Sequence, residues 1–488
     1  MPMSKPRSPK HTLILGAAWA VSTRWSVKGL GLISTVVLAR LLVPADYGIV
    51  AMAMLIVGLI EALLDFGAAT SLLRKADVTR DDINSAWTLR LLQGCAVGLV
   101  LLAVSPLAAI YFQEPRVTRV LWILAACVVI GAASNMGLTL SQKQFNFSFE
   151  FRYNLICKSI GVVATITAGY WLRDYRALVI GVSAGYLSGF LMSYWLHPYR
   201  PSWNTSKIPE IWAVTKWLLL AGVAGFILRK SDELIAARIG TTGEFGAYNV
   251  GSDLGQLPTA EVGPAMLKAF LPVLVSMKAG VDEVNAAVVK TLSAVNTITL
   301  PMGFGFAAVA LPATALVLGP AWSSAVPFVA TFAIVGALQS IQSPFNTLLL
   351  MRGYTKVQSQ IVWLEFAVFL LASLAFVPTW SLIGLVWARM AGSLVSIGAS
   401  VYATQKHCGL PFLGVVKAVL RPLIGALLMY GIVRVLDDPS QSDAWRLALG
   451  VTSGVVTFSL WSVVSWASMG RPEGLESTVF DHFVRSGK

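Results

Sequence analysis

Two pairs of ionisable residues sit inside stretches that are otherwise apolar. Arg24 and Lys28 fall in a window at 14–39, and Glu61 and Asp65 in a window at 47–72. A four-residue spacing puts both members of a pair on one face of a helix. Charges inside a membrane span are costly, and by default they mark a pathway or a pairing. Counted from the polar segment between the two windows, Lys28 lies ~18 Å deep and Arg24 ~24 Å. Glu61 and Asp65 lie roughly 20 and 26 Å deep on the returning window. The depths match pairwise, Lys28 with Glu61 and Arg24 with Asp65. Salt bridges that lock a helical hairpin are one consequence. Cations in a watery cavity, held by the carboxylates until an anionic substrate arrives, are the other, and buried pairs can serve as switches.

A second cluster is written "LRKSDELIAAR" in the window at 212–239. There Arg229 and Lys230 lie ~15 Å below the next polar segment, with Asp232 and Glu233 ~10–12 Å below it. Arg229 is spaced to pair with Glu233 on its own helix. The window at 246–274 adds Asp253 and Glu261 and is interrupted by Pro258 and Pro264. Such breaks expose backbone groups that need protein or water partners. Arg389 is a further deep cation, in the window at 381–404. Glu61, Asp65, Asp232, Glu233, Asp253 and Glu261 are the candidate gating or coupling acids. Arg90, Lys268 and Glu365 lie nearer the N-terminal face and are expected to snorkel towards it.

The elements that carry these charges must live in lipid. The 488 residues are 56% hydrophobic and 12% charged, with a mean hydropathy of +0.71. Soluble domains carry about 25% charged residues. Only helices or closed barrels span a bilayer, and the long runs here lack the alternation of barrel strands. The expectation is an all-α polytopic membrane protein with about 14 transmembrane helices. No cleavage signal follows the basic first twelve residues, so the first span is expected to remain as an anchor. The four cysteines and four histidines are scattered, so neither a disulfide framework nor a metal site is expected. No nucleophile–base pair or phosphate-binding loop stands out, and no cofactor is expected. The connections are too short for a nucleotide-binding domain.

Every lysine of the connections, Lys75, Lys143, Lys158 and Lys207 among them, falls on the side of the N-terminus. The other side carries only arginines, such as Arg40, Arg116 and Arg238. Both termini are therefore expected in the cytoplasm, and the +13 net charge reads as topology rather than a nucleic-acid surface.

"ARLLVPADYG" at 39–48 returns as "ARIGTTGEFG" at 237–246, an offset of 198 residues. Six spans lie between them, so the repeat keeps its direction through the membrane and implies an axis along the membrane normal. The expected organisation is a tail at 1–12, an N-lobe at 13–200 and a C-lobe at 201–405. Two extra helices at 406–470 and a tail at 471–488 complete it. Within each loop the arginine closes one helix, the acid caps the next, and the glycine permits a tight turn. Gly181, Gly185 and Gly189 form a GxxxGxxxG stripe, a close-packing face for a neighbouring helix.

The chain resembles the polysaccharide-transporter branch of the multidrug/oligosaccharidyl-lipid/polysaccharide exporter superfamily, nearest its colanic-acid-exporter-like, Wzx-type flippases. The match is carried by "LARLLVPADYGIVAMA", "DFGAATSLLRK", "VTRDDINSAW", "YRALVIGVSAGYLSGF" and "ARIGTTGEFGAYNVG", and it covers about residues 1–405. The resemblance implies two six-helix lobes, two added helices, and alternating access across a bacterial inner membrane. It implies an undecaprenyl-pyrophosphate-linked glycan as substrate, membrane lipids around it, and a polysaccharide polymerase complex as a further partner. Arg24, Lys28, Arg229, Lys230 and Arg389 would then meet the substrate headgroup, by position and charge. The superfamily's cation-coupled drug antiporters are the alternative, although the first span offers them no acid. A membrane-embedded glycan polymerase or ligase is a third reading, which the short outer loops disfavour.

Overall fold

The structure is a computed structural model that describes residues 9–65, 67–75, 77–260 and 280–468. Every regular element among the described residues is helical. The first helices are α1 (Pro9–Ala39), α2 (Pro44–Leu63), α3 (Ala68–Arg74), α4 (Arg80–Phe112), α5 (Arg116–Ala132) and α6 (Gly137–Lys143). Then come α7 (Phe147–Leu172), α8 (Arg176–Leu196), α9 (Ile208–Ile239) and α10 (Thr242–Ala260). They are followed by α11 (Val281–Ala308), α12 (Ala310–Val317), α13 (Val326–Met351), α14 (Thr355–Cys408), α15 (Phe412–Leu436) and α16 (Asp443–Ser468). Eight helices among the described residues are long and apolar enough to cross a membrane. The number is ten if the bent pairs α5–α6 (52°) and α11–α12 (73°) each count as one span. Helix α14 is two helices run together across a kink: Ser381 takes φ 49° and ψ −132° at its middle, and a side chain at Gly384 would overlap the Phe376 carbonyl.

The chain forms two compact units, Met1–Gly246 and Ala247–Lys488. In the first, α7 packs along α8, α4 along α5, α1 along α7, and α2 along α9. The glycine stripe does what its spacing announces. A side chain at Gly181 would overlap Thr165, and the Tyr153 hydroxyl donates to the Gly189 carbonyl at 2.9 Å. The expected hairpin of α1 against α2 is not the main packing of α1. Gly169 of α7 leaves room for Leu38 and Leu41, and α1 follows α7 instead. Equal depth on consecutive helices therefore does not itself bring Lys28 to Glu61.

The segment between α8 and α9 is laced onto the first turns of α4. Asn204 N–H donates to Thr88 Oγ1 at 3.1 Å, Lys207 N–H to Ser85 Oγ at 3.2 Å, and Ser202 N–H to Asn84 Oδ1 at 3.2 Å. In the second unit, Leu300, Phe304, Ile341, Phe345 and Met429 share one apolar core. Helix α16 closes on α15 where Gly450 and Gly454 meet Val433 and Met429. Arg421 fastens the same pair by donating to Ser465 Oγ and the Ser462 carbonyl, each at 2.9 Å.

Candidate functional site

The two repeated loops meet each other. A side chain at Gly48 would overlap the Thr242 carbonyl oxygen, and one at Gly246 would overlap the Pro44 carbonyl oxygen. Between these contacts, the Cβ position of Gly243 lies 4.0 Å from Ala45 Cβ. Gly48 and Gly246 are separated by the repeat offset, as are Pro44 and Thr242, and Ala45 and Gly243. The contact is thus reciprocal, each glycine receiving the other loop's carbonyl. Both glycines lie inside helices, so they serve close backbone approach, not the tight turn expected from sequence. The acids cap as expected: Asp46 accepts from Val43 N–H at 3.1 Å, and Glu244 from Thr241 N–H at 2.8 Å.

The α4–α5 elbow braces this clasp. Glu114 is only 7% exposed. It accepts from Arg116 at 2.8 and 2.7 Å and from the Thr242 hydroxyl at 3.1 Å. Tyr111 donates to the Leu234 carbonyl at 3.3 Å while the Arg238 guanidinium stands over its ring. Sequence reasoning missed Glu114, because an acid beside an arginine in a short loop resembles any solvated pair. The Arg116 guanidinium holds the Glu114 carboxyl below its ordinary value, outweighing burial. A carboxyl with a depressed folded pKa gives stability that is complete above the ordinary value of about 4.5. That stability is lost as pH falls through the lowered folded value. Glu114→Gln should therefore melt lower than wild type at neutral pH, and part of the wild type's loss below about pH 4.5 should vanish in it. Melting curves across that range check this.

A cavity of about 690 Å³ opens inside the first unit, bounded by α2, α4, α5, α7 and α8. Its polar wall includes Glu61, Asp65, Arg90, Gln93, Tyr153 and Tyr186. Glu61 lies in the last turn of α2, but that helix ends at Leu63, so Asp65 stands two residues beyond it and the shared helix face expected from the four-residue spacing is not formed. Asp65 instead accepts the Gly67 N–H at 2.8 Å. Arg90 does not snorkel. It lies ~15 Å along α4 and donates to the Gly131 carbonyl at 2.9 Å. Nearby, Trp87 and Tyr194 donate to the Ala133 carbonyl at 3.3 and 2.9 Å. Where α5 breaks into α6, carbonyls lose their α-helical partners; the Gly131 carbonyl keeps the Ser134 N–H at 3.2 Å, and these three side chains add donors at the break. Arg90 thereby fixes the bend and faces the cavity at once. Two carboxylates to one guanidinium make this cavity acidic on balance.

On α9, the partner of Glu233 is Lys230, three residues away, in place of Arg229. Arg229 folds back over Gly225 with its side chain exposed, whereas Asp232 and Glu233 are buried. Arg24 is exposed on α1 and Lys28 half-buried. In the second unit Asp253 is exposed and Arg389 half-buried. Glu365 turns inward and accepts from Ser393 at 3.5 Å, so it too departs from the snorkelling expected of it. Glu261 and Lys268 lie outside the described residues. Lys158 counts among the lysines of the N-terminal side, and because α7 starts at Phe147 it stands well inside that helix.

Comparison with known proteins agrees with the chemistry. Residues 37–327 match the model of a family described as "Polysaccharide biosynthesis protein". The lipopolysaccharide biosynthesis protein WzxC of Escherichia coli K12 is 22% identical over 350 residues, 71% of either chain. The succinoglycan biosynthesis transport protein ExoT of Rhizobium meliloti is 22% identical, over 93% of this chain and 92% of its own. The fold is that of the lipid II flippase MurJ in its inward closed conformation, with a TM-score of 0.73 at 14% identity. That likeness covers 93% of this chain and all of that one.

Proposed function

The chain belongs to the polysaccharide biosynthesis protein family, and on that premise we propose that it flips an undecaprenyl-pyrophosphate-linked oligosaccharide repeat across a bacterial inner membrane. It is a multi-pass membrane transporter, not an enzyme. The product feeds exopolysaccharide, capsule or O-antigen assembly, and a polysaccharide polymerase is the natural recipient. The observation that carries the mechanism is the reciprocal clasp of the two repeats. The closest contacts of the clasp are backbone carbonyl to glycine, a packing that can close tightly and part again without separating an ion pair between the two glycine positions. Alternating access needs such a bistable closure.

The offset contacts support a pseudo-twofold axis between the repeats and two six-helix lobes; the apolar windows support fourteen spans, and the lysine bias of the connections supports both termini in the cytoplasm. Lobes at 13–200 and 201–405 with added helices at 406–470 follow from the same repeat. The clasp then lies on the periplasmic side. Arg24, Lys28, Arg229, Lys230 and Arg389 act on the anionic headgroup. Glu61, Asp65, Asp232, Glu233, Asp253 and Glu261 gate the path or couple it to a cation. The acid-lined cavity of the first unit favours coupling at Glu61 and Asp65.

Complementation tests the function. In a strain lacking its own flippase, this chain restores polymer export; a normal membrane level of the protein without export would refute the reading. Labelling of cysteines placed at Ala45 or Thr242 only from the cytoplasm would overturn the topology.

A further inference from the structure

Lys158 is a cation that the site described above does not use. It stands ~16 Å into α7 from Phe147, near the middle of a hydrocarbon layer about 30 Å thick. Its side chain is half-buried, and among the described residues no hydrogen bond or ion pair engages it. Instead its Cε and Nζ approach Gly31 of α1, each 3.8 Å from where a Cβ would be. Gly31 is one turn beyond Lys28 on the same face of α1, and Arg24 is one turn before it. Three cationic groups therefore line about 10 Å of the α1–α7 seam. A lysine at this depth is expensive unless an anion or water receives it. Apolar packing alone would favour a neutral residue here.

We propose that Lys158 and Lys28 together hold a phosphate or diphosphate group at the α1–α7 seam, with Arg24 presenting it from the adjoining turn. The assignment rests on the flippase reading for its ligand, the diphosphate of a polyprenyl-linked glycan. Two ammonium groups can each donate to different oxygens of one diphosphate, and such charge-assisted hydrogen bonds are the strong ones. Gly31 has a part in this. Without a side chain, it leaves the Lys158 ammonium free to lie against the α1 backbone.

The test uses the full chain in nanodiscs, with inorganic pyrophosphate as one probe and undecaprenyl diphosphate doped into the lipid as the other. Undecaprenol, which lacks phosphate, is the control. Lys158→Met should weaken binding of at least one phosphate probe by about tenfold or more, and Lys158→Arg by no more than about threefold. Binding of the lipid probe alone identifies a headgroup site, and binding of pyrophosphate as well identifies a general phosphate site. Lys158→Met with wild-type affinity for both probes overturns the proposal, as does undecaprenol binding as tightly as the diphosphate. Lys158→Arg guards against misfolding, since it keeps the charge and length. Export measured in parallel keeps the two readings apart. If wild type exports nothing, the flippase reading fails, while the binding arm still decides the site.

Discussion

Oxidation of an Ala45→Cys/Gly243→Cys variant stops export, and a reductant restores it. The Cβ separation of 4.0 Å lies within the range of about 3.5–4.5 Å found in disulfides. The cross-link joins two backbones already in contact, so it adds little strain to the closed clasp and forbids only its opening. The expected fall is about a hundredfold or more, because a closure that cannot part cannot alternate. Neither substitution touches Gly48 or Gly246, so each single variant should export like wild type. The free Cys95, Cys127, Cys157 and Cys408 are present in those singles and serve as the control. Full cross-linking with unchanged export would mean that the outer ends of α2 and α10 never separate during transport.

Replacement of Arg90 should be the most damaging single change in the first-unit cavity. Arg90→Leu removes the charged donor of the Gly131 carbonyl, which keeps the Ser134 N–H at 3.2 Å, and takes away the guanidinium that lines the cavity alongside Glu61 and Asp65. Hydrogen bonds to charged groups are worth about 1.5–3 kcal/mol, so the melting temperature should fall by several degrees. Export should drop by about tenfold or more even where folded protein remains, since the cavity wall loses its cation and keeps both carboxylates. Arg90→Lys keeps the charge but loses the planar fork and should fall between. A merely snorkelling arginine would give no change in either readout, so unchanged melting and export would remove Arg90 from the site.

Much of this arrangement was legible because lipid imposes simple rules. Long apolar windows and the low charge content pointed to a helical membrane transporter, and the loop repeated 198 residues apart picked out the two segments that meet in the clasp. The small-residue stripe at Gly181 found its partner in α7. What the sequence concealed was lateral neighbourhood. Depth can be counted along a helix, but nothing in residues 14–72 says that α1 chooses α7 over α2. That choice depends on Gly169 accommodating Leu38. Arg90 and Glu365 were misread for a related reason. A charge ten residues into a helix can reach the surface or turn inward, and the decision lies with Gly131 and Ser393 on other segments. The loop glycines were misjudged because a glycine that serves close approach looks, in sequence, like one that serves a turn.

The central claim is that this chain moves a lipid-linked glycan by opening and closing the clasp of its two repeats. Its most direct test is translocation in proteoliposomes. A polyprenyl-diphosphate-linked saccharide is reconstituted in both leaflets, and the outer pool is followed with an impermeant saccharide-modifying enzyme. With the wild-type chain, nearly all of the saccharide should become accessible. With the oxidised Ala45→Cys/Gly243→Cys variant, as in protein-free vesicles, only about half should, since one leaflet stays sealed. Accessibility that stays at the protein-free level with folded wild-type chain, or that is complete with the cross-linked one, would contradict the account.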